Sequence, residues 1–254
     1  MLLLLGSAGC QAEAPVGNPQ TVTARLVTLL QDPSPDVRRT AALSLGKIAH
    51  SAGTTALVEA LSDPDSDVRE YSAWALGQIG EDVNDAAAIS LAGALGDERD
   101  SVKQAAALAL GKIGPRPPVV AILTQALAVG ERNSRRAVVE AFNQLEAKGA
   151  FPALRKALTD PDPAVRQGAL AALGELGDRR TLHDFRERLL FDASSSVRAE
   201  AAYRLGKLGD PGDHAELQTL DEAAQHDTSP GVRSWANWAR VHIGPAKMGE
   251  EDEE

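Results

Sequence analysis

Three Gly-Lys dipeptides, Gly46-Lys47, Gly111-Lys112 and Gly206-Lys207, are the first residues of this chain whose types invite chemistry. A phosphate-binding loop needs a glycine five residues before such a pair, so that backbone amides can cradle phosphate. It also needs a Ser or Thr just after the pair to meet magnesium. Here Ala41, Ala106 and Ala201 hold the first place, and Ile48, Ile113 and Leu208 hold the second. The histidines are His50, His183, His214, His226 and His242. The nearest approach to a ligand pair is His183 with Glu187, four apart on one helix face. Two weak ligands do not make a metal site. Cys10 is the single cysteine, so neither a disulfide framework nor a cysteine metal site can be built within one chain. No Gly-x-Ser-x-Gly nucleophile elbow occurs. No catalytic residue, metal ligand or cofactor is therefore assigned, and the chain is read as a non-enzyme.

Composition narrows the class further. Ala and Leu supply most of the apolar content and aromatics are only 4%, which suits closely packed helices better than a bulky core. The net charge is −10, and the run "EEDEE" at 250–254 is wholly acidic. Phosphate neutralisation needs clustered Lys and Arg, so no nucleic-acid partner is expected. No apolar run approaches the roughly 20 residues that span a bilayer.

The elements that carry these residues repeat. "DPSPDVRRTAALSLGKIA" begins at Asp32, "DPDSDVREYSAWALGQIG" at Asp63 and "DERDSVKQAAALALGKIG" at Asp97. Further copies begin at Asp160, Asp192 and Asp227, and a degenerate one runs from Gly130 to Gly149. The anchors Val37, Val68, Val102, Ser134, Val165, Val197 and Val232 recur at 31, 34, 32, 31, 32 and 35 residues. A period of this size marks a solenoid of stacked supersecondary units.

Each unit reads as two helices, A and B. Apolar residues three and four apart in "TVTARLVTLLQD" and "TTALVEALSD" describe A helices. Asp-Pro ends them, because Pro cannot continue a helix. Ser34, Asp65, Asp162, Ser194 and Ser229 suit the N-cap of helix B, and Pro35, Pro163 and Pro230 suit its first turn. Gly80, Gly114, Gly177, Gly209 and Gly244 are expected to supply a left-handed exit. Along helix B, offsets 0, 4, 8 and 11 from the anchor form one apolar stripe facing helix A. Offset 9 is Gly46, Gly77, Gly111, Gly174 and Gly206; a Gly costs about 1 kcal/mol inside a helix, so its recurrence implies a close neighbour.

The pattern D-P-x-x-x-V-R-x-x-A-x-x-x-L-G-x-I-G resembles the HEAT repeat, in the short form called phycobilisome-lyase-like, over residues 21–244. The resemblance implies an all-α solenoid of about seven helical hairpins. It also implies an Asp/Arg ladder between neighbouring units. The members would be Asp32, Arg38, Asp63, Arg69, Asp97, Lys103, Arg135, Asp160, Arg166, Asp192, Arg198, Asp227 and Arg233. Related repeats occur in di-iron hydroxylases of deoxyhypusine, in bilin lyases and in DNA glycosylases. The His-Glu dipeptides of the first are missing here, nothing selects a bilin, and the basic face of the third is diluted by Glu140, Glu175 and Glu200. An accessory enzyme of lyase or oxidoreductase type is the alternative function.

The opening "MLLLLGSAGC" resembles the end of a bacterial lipoprotein signal peptide, which makes Cys10 the acylated residue and 11–20 a flexible linker. A basic n-region is missing, and an ordinary frayed apolar N-terminus is the other reading, with a cytoplasmic location. On the lipoprotein reading the protein is anchored in the bacterial cell envelope, outside the cytoplasm. Residues 245–254 read as an acidic disordered tail.

Helix-pair solenoids use their B helices for recognition. Offsets 3, 6 and 10 form a stripe turned away from the core, and every Trp and Tyr of the chain falls on it. Tyr71, Trp74, Lys112, Tyr203, Lys207, Trp235 and Trp238 are the expected binding residues for a protein or peptide. Trp235 and Trp238 have a second reading, as cover for the end of the array. Tyr71 and Trp74 have one too, as packing between B helices.

Overall fold

The computed structural model describes residues 18–244, and Cys10, the segment 11–17 and the tail 245–254 lie outside the described residues. Fourteen α-helices follow one another with no strand among the described residues. The A helices are α1 (Pro19–Leu29), α3 (Thr54–Ala60), α5 (Asp85–Ala94), α7 (Pro117–Val129), α9 (Phe151–Ala157), α11 (Leu182–Phe191) and α13 (His214–His226). The B helices are α2 (Pro35–Ile48), α4 (Ser66–Ile79), α6 (Asp100–Ile113), α8 (Arg132–Leu145), α10 (Pro163–Glu175), α12 (Ser195–Leu208) and α14 (Pro230–Ile243). Each A helix packs on its own B helix, and each B helix on the next, giving an all-α solenoid of seven hairpins. The linker expected over 11–20 ends early: α1 begins at Pro19, and the Asn18 side chain caps it by accepting from Gln20 N–H at 3.1 Å.

The B helices start where the Asp-Pro and Asx signals place them. Asp65 and Asp162 accept from the N–H groups two and three residues on. Ser34, Ser194 and Ser229 occupy the N-cap position without a side-chain bond to the helix. Their turns are held instead by Asp32, Asp192 and Asp227, each of which accepts from the serine's N–H at 2.8–2.9 Å. Left-handed exits occur at Gly80, Gly114 and Gly177. Gly209 and Gly244 differ from expectation, with φ of −61° and −58°, and are themselves extended. The first and fourth units exit through Ala49 and Glu146 at positive φ.

The core is two stripes on each B helix rather than one. The stripe at offsets 0, 4, 8 and 11 buries against helix A, as Val68, Ser72, Leu76 and Ile79 do in the second unit. The second stripe, at offsets 5 and 9, is small-residued and buries against the next B helix, as Ala73 and Gly77 do, while Ala75 at offset 7 faces Gly46 of the preceding one. The helical glycines are slots for the following unit. A Cβ on Gly77 would stand 2.7 Å from Ala109 Cα, and one on Gly111 would stand 2.7 Å from Gln144 Cβ. Gly46 receives the ring of Trp74, Gly174 the stem of Arg204, and Gly206 the ring of Trp238. Among the described residues no hairpin follows the seventh unit, whose slot position holds exposed Val241, while Asn237 replaces the small apolar residue at offset 5. Offset 8 of that unit, Leu elsewhere in most copies, is Arg240, paired with Asp221 of α13 at 2.8 Å.

Candidate binding face

The ladder that holds successive hairpins in register also fixes the B-helix face. Arg38 grips Asp63 through Nε and Nη2 at 2.7 and 2.8 Å. The same two-pronged bond joins Arg69 to Asp97, Arg135 to Asp160, Arg166 to Asp192 and Arg198 to Asp227. In each case the remaining Nη1 donates to carbonyls at the A-to-B turn of the arginine's own unit. One guanidinium thus stitches its own turn and the next hairpin together, which a Lys ammonium cannot do with the same geometry. Burial pushes the Asp63, Asp97 and Asp192 carboxyls up, yet the bonds from their arginines and from backbone N–H groups hold all three below the ordinary value. The bond from Arg198 leads the lowering at Asp227.

Three expected members do not form rungs. Among the described residues Asp32 faces no earlier hairpin and holds Ser34 N–H, and Arg233 faces no later one and donates to the carbonyls of Asp227 and Thr228. Lys103 turns back to Asp100 in its own helix at 2.7 Å.

The aromatic stripe divides into two patches. Tyr71 and Trp74 are half-buried on α4, with Trp74 seated over Gly46, so both contribute to packing between units. With its amide oxygen turned toward them, Gln78 accepts from Trp74 Nε1 at 2.9 Å and from Lys112 Nζ at 2.8 Å. The second patch joins α12 to α14. Tyr203 stacks on Trp238 at 5.5 Å and meets Trp235 edge-on at 5.2 Å, and Trp238 lies 4.3 Å from the His242 ring. Trp238 fills the Gly206 slot, while Trp235 is 43% exposed. Lys207 Nζ stands 6.0 Å above the Tyr203 ring, and Arg204 lies over the same ring at 5.1 Å. Burial pushes Arg204 toward losing its charge, and bonds to Glu175 and Glu200 more than restore it. This arrangement offers an apolar, rigid, partly exposed surface rimmed by a cation, and such surfaces anchor protein partners.

His242 lies on the stripe at offset 10, one turn of α14 after Trp238; sequence reasoning did not single out Arg204 as a support of the patch, which follows from its stem seating in the Gly174 slot of α10. His183 and Glu187 do come together with Asp184, and this is the group among the described residues whose side chains could hold a metal ion. Asp184 is already held by Arg155 through two bonds at 2.6 and 3.0 Å. No helix of the described residues is long and apolar enough to cross a membrane.

The fold and the face define a helical-hairpin repeat protein. The chain belongs to the HEAT-repeat family: a model of HEAT repeats matches residues 23–111, 120–190 and 151–239. A model of the PBS lyase HEAT-like repeat matches residues 102–128. No curated protein matches the chain. Among solved structures, the archaeal HEAT-like repeats protein from Thermococcus onnurineus NA1 is 14% identical with a TM-score of 0.52, covering 89% of this chain and 97% of that one. The complex of CpcE and CpcF of phycocyanin lyase from Nostoc sp. PCC7120 is similar at 22% identity and a TM-score of 0.48, covering 94% and 100%. Human deoxyhypusine hydroxylase is similar at 22% identity and 0.43, covering 89% and 85%. These likenesses are of fold.

Proposed function

We propose that the chain is a non-catalytic scaffold that binds a protein or peptide along its B-helix face. The observation that carries this reading is the Tyr203–Trp235–Trp238–His242 patch. Its inner rings are locked by packing, so little side-chain entropy is lost when a partner covers the outer one, and Trp and Tyr bury large area on binding. Shared HEAT architecture is compatible with the accessory-enzyme alternative, but fold alone does not confer activity. The one group among the described residues that could hold a metal has its Asp184 engaged by Arg155.

The test is affinity capture with the intact protein, followed by binding of the purified captured partner to wild type, Trp235→Ala and Phe191→Ala. Phe191 is an exposed apolar control on the A-helix side. Loss of affinity of tenfold or more at Trp235 alone supports the face; equal affinity of all three proteins defeats it. Lipid attachment at Cys10 in a bacterial envelope is a separate proposal. Fatty-acid label on the wild type that disappears in Cys10→Ser would support it, and label retained in that variant would refute it.

A further inference from the structure

The third and fourth hairpins meet at the junction where the ladder fails. At the five other junctions an arginine spans to the next unit's aspartate. Here the cation is Lys103, and the acceptor position of the next unit is Val129, whose side chain is 78% exposed. Both halves of the rung are thus replaced at once. Lys103 satisfies itself on Asp100, a solvent-facing carboxylate of its own helix, and ties nothing across the boundary. Among the described residues the side-chain hydrogen bonds across this junction come from Arg116. It donates to Asp85 Oδ1 at 2.8 Å and to the Glu81 carbonyl at 2.8 Å. Arg116 and Asp85 stand at the N-terminal ends of α7 and α5, the opposite end from the ladder. The junction is therefore pinned at one end and untied at the other. At the untied end an open cleft of about 450 Å³ runs between α6 and α8 from Asp100 and Lys103 toward Glu140, with Leu108 on its wall 55% exposed.

We propose that this junction is the flexible joint of the array, swinging about the Arg116 end and dividing the solenoid into a block of three hairpins and a block of four. Packing between the helices is kept here, so what distinguishes the junction is direction: the missing bidentate bridge removes, at one end, the oriented tie present at the other five junctions. The joint separates the Tyr71/Trp74 patch from the Tyr203/Trp235/Trp238 patch and so sets their spacing. That consequence rests on the binding reading; the joint itself does not.

Pulsed electron-resonance distances on the full chain, in a Cys10→Ser background, test it without any partner. Spin labels at Glu59→Cys and Lys156→Cys span three junctions including the joint. Labels at Gln125→Cys and Glu222→Cys span three junctions without it, and all four sites are exposed. The first pair is expected to give the broader distribution, and Lys103→Arg with Val129→Asp to cause loss of the excess width. The reverse transplant, Arg198→Lys with Asp227→Val, is expected to broaden the second pair. Equal widths for the two pairs overturn the proposal. So does a broad first pair that persists although the repaired rung raises the thermal midpoint. If the repair leaves the midpoint unchanged, an unaltered second pair in the folded transplant overturns it.

Discussion

Single residues in this chain are set by the neighbour thirty positions on. Gly77 is a slot for α6, and Gly77→Ala would place a Cβ 2.7 Å from backbone Ala109 Cα. The helix-propensity gain of about 1 kcal/mol is outweighed by overpacking of about 1–3 kcal/mol, so stability falls. Gly93, inside α5 with open space around its missing Cβ, is the opposite case, and Gly93→Ala gains up to about 1 kcal/mol. Urea unfolding of the two variants measures the contrast; a loss at both, or a gain at both, contradicts the slot. Glu216 supplies a pH signature. Its side chain is 2% exposed, burial pushes its carboxyl above the ordinary value, and Asp210 N–H donates to it at 3.0 Å. Because the folded-state pKa is raised, what this group contributes is fully present below its unfolded pKa and is lost as pH rises through the folded value. Glu216→Gln therefore raises the thermal midpoint at pH 7, and the gain disappears near pH 4. A variant less stable than wild type at pH 7 would count against the burial argument.

At the scale of the helix, the B helices share a start but not a cap. Asp65 bonds two amides of α4 and Asp162 two of α10, whereas Ser229 bonds none of α14. Asp65→Ala is expected to cost about 1 kcal/mol, and Ser229→Ala a few tenths. Chemical denaturation of the two variants checks the order, which reverses if sequence type alone determines capping. The A helices are shorter and less regular, and α3 and α9 have only seven residues. An isolated helix of that length is unstable in water, so these form because the B helices give them a surface to pack on.

At the scale of the molecule, the ladder makes stability depend on acid. Asp63, Asp97, Asp192 and Asp227 are held below the ordinary carboxylate value. For a depressed pKa the contribution is present above the unfolded value, about 3.9 for Asp, and is lost as pH falls through the folded one. Unfolding free energy should therefore be level near neutrality and drop steeply below about pH 4. Asp97→Asn should lower stability at pH 7 by on the order of 3 kcal/mol, since it leaves the 8%-exposed Arg69 without its charge partner. It should also flatten the acid drop. Urea midpoints between pH 2 and 7 give both numbers, and an acid drop unchanged in the variant would place the effect outside the ladder.

The pairing of Asp with Arg came only with the HEAT resemblance, whereas the hairpin count, the helix starts at Asp65, Asp162 and Pro35 and the core stripe facing helix A were all legible in one dimension. Each depends on residues within a turn or two of one another, or on a period that repeats seven times. Of the small-residue stripe, the offset-9 glycines already implied a close neighbour, but the Ala at offset 5 was invisible because it shows no contrast until a facing helix is placed against it. The division of the aromatic stripe into slot-filling Trp74 and Trp238 and half-exposed Trp235 was invisible too, as was the pinning of one junction by Arg116. Those features depend on the register between helices some thirty residues apart, which the local pattern of hydrophobicity, caps and turns does not encode. The sequence alone determined what each hairpin is; only the tertiary structure decided how one hairpin leans on the next, because that is fixed by the fit of side chains across a boundary that local periodicity never crosses.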